Sequence, residues 1–259
     1  MKRVLILFLL TSLTITRTYS QNIYSALQHD RGEAIKGRIP SEIIEDQIFY
    51  NSTGKEIRKN KKILNSKGKI LLEERYNQTG SLEARLTYSY DSSGLYSLTR
   101  KFERWTNLGY SSETAFYEYD RNWYLTRVTD KTQKGNTIQE TVLTNNEKGN
   151  QIKLILFDGN GKIYGSELAT YDYKGNKAYT VIQDSKGNLI PSDTLTINFE
   201  IPLTGNKYND NGDVIESEKY FYEYEYDEFG NWTIMKIFKN VRGKRKIDRV
   251  FKRRFKYDG

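Results

Sequence analysis

Few side chains in this sequence have the types and spacing that catalysis requires. His29 is the single histidine, and the chain contains no cysteine. Thiol–histidine catalysis, Ser-His-Asp triads and the usual zinc sites are therefore excluded. Glu223 and Glu225 share one face of a predicted strand with Cα atoms ~7 Å apart, and glycosidase acid–base chemistry can be built from such a carboxylate pair. Carboxylate pairs are also common on solvated sheet faces, so we predict no catalytic residue, no metal site and no cofactor.

Aromatic side chains provide a binding chemistry instead. The chain holds 21 tyrosines, 11 phenylalanines and 3 tryptophans. Flat rings with a polar edge can stack on sugar rings, although the same rings also pair across strands and stabilise sheets. The candidate residues for binding glycan or another partner are Trp105, Trp123, Tyr220, Tyr222, Tyr224 and Trp232.

Basic residues are concentrated near the C-terminus. Ten Lys or Arg residues fall within 239–256, against the single acid Asp248. Such a row can contact lipopolysaccharide or an acidic membrane surface. On a terminal strand, the same charges can also prevent edge-to-edge aggregation. The candidate anion-binding residues are Lys244, Arg245, Lys246, Arg249, Lys252, Arg253, Arg254 and Lys256.

The first residues predict export from the cytoplasm. Basic residues at positions 2 and 3 precede the apolar run 4–10, and small residues stand at 18 and 20, before a cleavage site at Gln21. The apolar run is shorter than the ~20 residues that a permanent membrane span needs. We expect residues 1–20 to be a signal peptide and the mature chain to be periplasmic, exposed at the cell surface or secreted. Nucleic acid is a disfavoured partner for such a protein.

A short phrase recurs along the rest of the chain and positions these side chains. It consists of an aromatic or aliphatic residue, Asp or Asn, two variable residues, Gly, and usually Asn or Lys. Its glycines are 12 or 14 residues apart, at 54, 68, 80 and 94 and again at 149, 161, 175 and 187. Asp or Asn begins a type I turn, and the Gly provides the positive φ of a G1 bulge. Each phrase therefore predicts a hairpin turn between antiparallel strands.

The residues between the turns alternate with a period of two, as strands require. Tyr220, Tyr222 and Tyr224, for example, lie on the face opposite Glu223 and Glu225. We predict an all-β fold, a repetitive antiparallel meander of about a dozen strands that forms an open curved sheet, a partly closed barrel or a solenoid. Residues 46–259 would form this repeat domain, residues 21–45 an N-terminal cap or irregular segment, and residues 194–199 one of the strands.

The segments 224–231 (YEYDEFGN) and 88–94 (YSYDSSG) resemble the YD repeat of bacterial Rhs-type proteins. The resemblance covers about residues 46–259. In that family, YD-repeat arrays wrap into β shells, some of which enclose a C-terminal toxin, and some repeats are associated with carbohydrate contact. The resemblance implies the repeat architecture and a surface or envelope role, and it carries over no catalytic residue.

These observations together predict a non-enzymatic exported β-repeat protein. It would be a binding or structural module of the envelope, or a secreted one, with carbohydrate or envelope protein as its partner. The alternative is a binder of lipopolysaccharide or acidic membrane that acts through the basic C-terminal strands. A third reading is a carboxylate-based enzyme acting on glycan, which would require two acids to converge in a cleft.

Overall fold

The computed structural model describes residues 23, 33, 35–52, 54–174, 177–184, 186–189 and 206–258, and the backbone of 196–198. The predicted signal peptide at 1–20 lies outside these residues, as does the predicted strand at 194–199 apart from 196–198. None of the described segments is a helix with the length and apolarity that a membrane span requires. The strands are β1 (Glu42–Asn51), β2 (Gly54–Leu64), β3 (Ile70–Tyr76), β4 (Leu82–Tyr90), β5 (Ser97–Thr106), β6 (Gly109–Tyr119), β7 (Leu125–Thr132), β8 (Thr137–Asn145), β9 (Gln151–Asp158), β10 (Ile163–Asp172), β11 (Lys177–Asp184), β12 (Thr196–Asn198), β13 (Lys207–Tyr208), β14 (Val214–Glu216), β15 (Tyr220–Tyr226), β16 (Trp232–Val241) and β17 (Lys244–Lys256).

The recurring phrase forms the predicted turn. Between β2 and β3, the Gly68 amide donates to the carbonyl of Asn65 at 3.0 Å, and the Asn65 amide donates to the carbonyl of Lys69 at 2.9 Å. The Asn65 side-chain oxygen accepts from the amides of Lys67 and Lys69. Gly68 has φ +75°, a left-handed conformation that side chains resist. This confirms the type I turn with a G1 bulge. The same pair of backbone bonds recurs in the units that begin at Asn77, Asn146, Asp158, Asp184, Asn209 and Asp227.

The tyrosine of the phrase links neighbouring hairpins. The Tyr90 hydroxyl donates to the backbone carbonyl of Ile70 at 2.8 Å, and the Tyr119 hydroxyl donates to that of Ser97 at 2.9 Å. Tyr171 makes the equivalent bond to Gln151, 20 residues earlier. Each of these hydroxyls satisfies a carbonyl near the start of the preceding strand, which explains why a tyrosine recurs at this position.

The first and last described strands of the chain, β1 and β17, lie side by side within the sheet. From β1 to β12 each strand pairs antiparallel with the next, and β13 to β17 do the same. β1 also pairs with β17, so that Ile43 lies opposite both Lys62 and Phe255. The ladder therefore runs from β12 through β1 to β13, and among the described residues no pairing between β12 and β13 closes the sheet. The predicted antiparallel meander is confirmed, with seventeen described strands where the repeat predicted about a dozen.

One face of the sheet, which we call the inner face, is buried although no second layer of strands covers it in the described residues. It carries alternate residues of each strand, including Ile43 in β1, Ala84 in β4 and Leu154 in β9, all of which are buried. A single layer can bury one face only if it curves around that face. The main apolar cluster of the inner face consists of Ile23, Ala115, Tyr117, Leu125, Val128, Leu143, Leu154, Leu156 and Ala169.

Residues that precede β1 are bound to this inner face. Ile23 is fully buried, and its backbone amide donates to the Glu167 carboxylate at 2.6 Å. The Glu33 carboxylate forms ion pairs with Lys62 and, at 2.9 Å, with Arg253. Burial opposes ionisation of Glu33, but the two cations outweigh it and hold the pKa of Glu33 below its usual value. These contacts bind Ile23 to β10 and Glu33 to β2 and β17.

Candidate functional site

A cavity of about 820 Å³ opens at one end of the sheet, beside the turn between β3 and β4 and the turn between β5 and β6. Inner-face residues of β2 to β5 form part of its wall, and polar turn residues form its rim. Its volume lies in the range of ~300–1,000 Å³ that is typical of small-molecule sites. The cavity is lined by Arg58, Arg75, Asn77, Thr79, Ser81, Leu82, Glu83, Ala84, Phe102, Arg104, Trp105, Thr106 and Asn107.

Three of the lining residues are arginines, and strand pairing places two of them on either side of an alanine. Ala84 in β4 pairs with Arg75 in β3 and with Arg104 in β5. Neighbouring strands are ~4.8 Å apart, so the Cα atoms of the two arginines lie roughly 10 Å apart. Ala84 is buried, and its methyl group fills little of the space between the longer side chains. Arg58 contributes the third guanidinium, and we call Arg58, Arg75 and Arg104 the cavity arginines.

The described contacts of the cavity arginines leave hydrogen-bond donors unused. Arg58 and Arg75 each bond a glutamate of their own strand through Nε, at 2.6 and 2.7 Å. Arg104 forms no ion pair among the described residues, and its guanidinium lies 4.9 Å from the centre of the Phe102 ring. A guanidinium carries five N–H donors in a planar fork. The terminal nitrogens are therefore available to a ligand with two acceptor oxygens.

Trp105 is also among the lining residues, but the alternation along β5 places its side chain on the outer face, opposite Arg104 and Ala84. Its ring is half-buried and lies 5.4 Å from the ring of Tyr110, at an angle of 50°. The guanidinium of Arg85 lies 5.7 Å from the Trp105 ring. These two neighbours hold the indole in place on the outer face at this end of the sheet, where part of its surface remains exposed.

Trp123 lies at the opposite end of the sheet, in the turn between β6 and β7. It stands where other units have glycine: its amide donates to the carbonyl of Asp120 at 3.0 Å, and its φ is +61°. Its ring is 44% exposed and stacks on Tyr96 at 4.5 Å between ring centres. A bulky residue in this conformation is strained, and the stacking contact offsets part of the strain.

The other predicted aromatic residues are occupied by contacts within the sheet. Tyr220, Tyr222 and Tyr224 form a row along the inner face of β15, with ring centres 6.5 Å apart. The Tyr224 hydroxyl donates to the carbonyl of Val214 at 3.1 Å, and burial raises the pKa of Tyr224. Trp232 is half-buried beneath the guanidinium of Arg253, 3.6 Å from its ring centre. The structure therefore leaves the Trp105 ring partly exposed at the end of the sheet where the cavity opens, and leaves these four in packing positions.

The basic residues of β17 divide between its two faces. Arg253 lies on the inner face, where its ion pairs with Glu33 and Glu45 occupy the guanidinium. The other candidates are at least partly exposed, and two of them have acidic neighbours: Arg249 contacts Asp248 and Arg254 contacts Asp46. β17 pairs with β16 on one side and with β1 on the other. The interpretation of these charges as protection of an edge strand is therefore wrong, because β17 is not an edge.

A second group of charged residues lies on the inner face and was not predicted from the sequence. Arg100 in β5 and Asp130 in β7 both pair with Ala115 in β6. Burial raises the pKa of Asp130 to about 6; the charge of Arg100 opposes this shift and that of Glu113 adds to it. No sequence signal identified this group, because its members are spread over three strands and only their pairing brings them together.

The carboxylate pair that the sequence suggested does not lie in a cleft. Glu223 and Glu225 are both exposed, on the side of β15 opposite its tyrosine row. Glu225 contacts Lys236 across the sheet at 3.3 Å. Within the described part of the chain, no three His, Asp or Glu side chains group as a metal site would require.

Comparisons with known proteins give distant matches only. No protein-family profile and no curated protein sequence matches this chain. A porin-like protein from Bacteroides uniformis is similar in structure, with 12% identity, a TM-score of 0.44, and coverage of 85% of this chain and 98% of that protein. A porin-like protein from Bacteroides vulgatus has 7% identity, a TM-score of 0.33, and coverage of 81% and 97%. The TcdB2-TccC3-Cdc42 structure matches with 12% identity and a TM-score of 0.18, over 74% of this chain and 14% of that one. Matches this distant assign no function.

Proposed function

We propose that this chain is an exported, non-enzymatic β-repeat module that binds carbohydrate in the envelope or outside the cell. The observation that carries the proposal is the cavity at the end of β2 to β5, which has a rim of amide and hydroxyl side chains, with the Trp105 indole on the outer side of the same end of the sheet. Export is supported by the signal-like residues 1–20.

This end of the sheet carries both kinds of group that recognise a sugar ring. The exposed part of the Trp105 indole can stack on an apolar sugar face. The Asn77 side-chain oxygen already accepts from Thr79 and Ser81, so Asn77 offers its amide N–H donors and Thr79 offers its hydroxyl oxygen as an acceptor. Asn107 adds a carboxamide from the neighbouring turn. Because both turns are fixed by hydrogen bonds to the strands, these groups are arranged before a ligand arrives, which lowers the entropy cost of binding.

A non-enzymatic role is supported by the position of the acids. Glu223 and Glu225 lie exposed on the outer side of β15, and Asp130 with Glu113 lies among inner-face residues, whereas the cavity contains one carboxylate, Glu83. Hydrolysis of a glycosidic bond ordinarily requires two carboxyl groups on either side of that bond. The cavity therefore has the groups for binding a glycan but lacks the pair for cleaving it.

A glycan array probed with the mature chain, followed by calorimetry on the best ligands, tests this proposal. We expect saccharide binding that weakens roughly tenfold in Trp105→Ala, the loss expected when one central aromatic contact is removed. Trp105→Phe should retain most of the affinity, and Trp123→Ala should bind as the unsubstituted chain does. Release of shorter saccharides from a polymer would contradict the non-enzymatic role, and loss in Trp123→Ala alone would contradict the location of the site.

A second candidate function is supported by the outer side of β17. Lys252 and Lys256 are exposed there, and Lys244 and Lys246 are exposed near the start of the strand. An acidic membrane surface would attract such a row. Co-sedimentation with vesicles containing anionic lipid should then weaken steeply with salt, because charge attraction is screened. Binding that does not change between low and high salt would exclude this function.

A further inference from the structure

We propose that the cavity arginines select an acidic saccharide, one that carries carboxylate or sulfate groups. This inference rests on the proposed carbohydrate-binding function and specifies its ligand class. The cavity lining contains three arginines, the single acid Glu83 and no lysine. Arginine is the side chain whose planar fork matches the two oxygens of such groups.

The arrangement of two guanidinium groups favours a ligand group held between them. Arg75 and Arg104 stand on either side of Ala84, whose small side chain leaves space above the sheet. The Nε of Arg75 is used by Glu73, which leaves its terminal nitrogens available to a ligand. Arg104 has no described carboxylate partner. A ligand that binds its guanidinium therefore does not have to displace an ion pair within the protein.

The rest of the cavity indicates a saccharide rather than a free inorganic anion. A volume of about 820 Å³ is far larger than one sulfate or phosphate ion needs. Phe102 gives the wall an apolar part, which a small hydrated anion does not use. An acidic sugar would place its charged group between the arginines and its ring against Phe102, with hydroxyls at the polar rim.

Arg104 gives a clean test because its replacement leaves no glutamate unpaired. The mature chain is titrated calorimetrically with a galacturonic acid hexamer and with the methyl ester of the same hexamer, which lacks the charges. We expect the acid to bind roughly tenfold more tightly than the ester, and Arg104→Gln to remove most of this preference. Arg104→Lys should retain part of it. Arg121→Gln, an exposed arginine at the opposite end of the sheet, should retain all of it.

The outcomes separate this inference from the proposed function. Equal affinity for acid and ester, with loss of both in Trp105→Ala, would overturn the arginine inference and leave carbohydrate binding intact. A preference for the acid that survives in Arg104→Gln would also overturn it. Full competition by millimolar sodium sulfate, at constant ionic strength, would show a site for free anions instead. If neither hexamer nor any array glycan binds, the proposed function itself fails. Circular dichroism and thermal melting of each variant confirm that it is folded.

Discussion

Replacing Asp130 with asparagine should stabilise the protein at neutral pH and not at acidic pH. Burial raises the Asp130 pKa from 3.8 to about 6. Below pH ~4 the carboxyl is protonated in both folded and unfolded chains, so its raised pKa does not lower the free energy of unfolding there. Between about pH 4 and 6 the unfolded chain releases this proton while the folded chain keeps it, so the free energy of unfolding falls. The shift of roughly 2 pKa units corresponds to ~3 kcal/mol at pH values well above 6.

Urea denaturation of the mature chain at pH 4 and pH 8 measures this effect. The quantity to compare is the stability difference between Asp130→Asn and the unsubstituted chain at each pH. Asparagine has no proton to lose, so the difference should move in favour of the variant by up to ~3 kcal/mol between pH 4 and pH 8. Glu223→Gln, at an exposed position, is the control and should show little change. A pH-independent difference for Asp130→Asn would refute the interpretation that burial disfavours the ionised carboxylate.

Three further predictions concern the turns and the strand pairing. Trp123→Gly should be more stable than Trp123→Ala by ~1 kcal/mol in chemical denaturation, since both lose the stacking contact but only glycine relieves the positive φ; equal stabilities would contradict the strained backbone. Tyr90→Phe should lower the free energy of unfolding by ~1 kcal/mol through the lost hydroxyl bond, and an unchanged midpoint would show that this bond contributes nothing. Gln47→Cys with Phe251→Cys should form a disulfide on mild oxidation, visible by non-reducing electrophoresis, because these residues pair across β1 and β17. Gln47→Cys with Phe255→Cys should not, and the reverse pattern would show a different register.

The local structure follows from the sequence because its causes are local. Asn65 and Gly68 are three positions apart in one phrase, and together they determine a turn whose bonds all lie within five residues. The alternation of Tyr222 and Glu223 determines which side of β15 each occupies. These features require no knowledge of distant parts of the chain, and the hairpin meander was therefore predicted.

The site was predicted only in part because its geometry comes from pairing between strands. Trp105 was a candidate by residue type, but Arg75 and Arg104 are 29 positions apart and become neighbours of Ala84 only through the register of three strands. The pairing of β1 with β17 joins residues more than 200 positions apart and has no local signal. Edge protection, one of the two interpretations that the sequence allows for the basic residues of β17, therefore fails, because the strand is paired on both sides.

Hydrogen exchange on the mature chain, with and without the galacturonic acid hexamer, tests the central claim most directly. That claim is that the arginine-lined cavity at the end of β2 to β5 is the binding site. Addition of the hexamer should slow backbone exchange in residues 75–84 and 102–109, the segments that contain the two rim turns. The turn between β6 and β7, at the opposite end, should be unaffected. Protection confined to residues 244–256, or to the opposite end of the sheet, would contradict the claim.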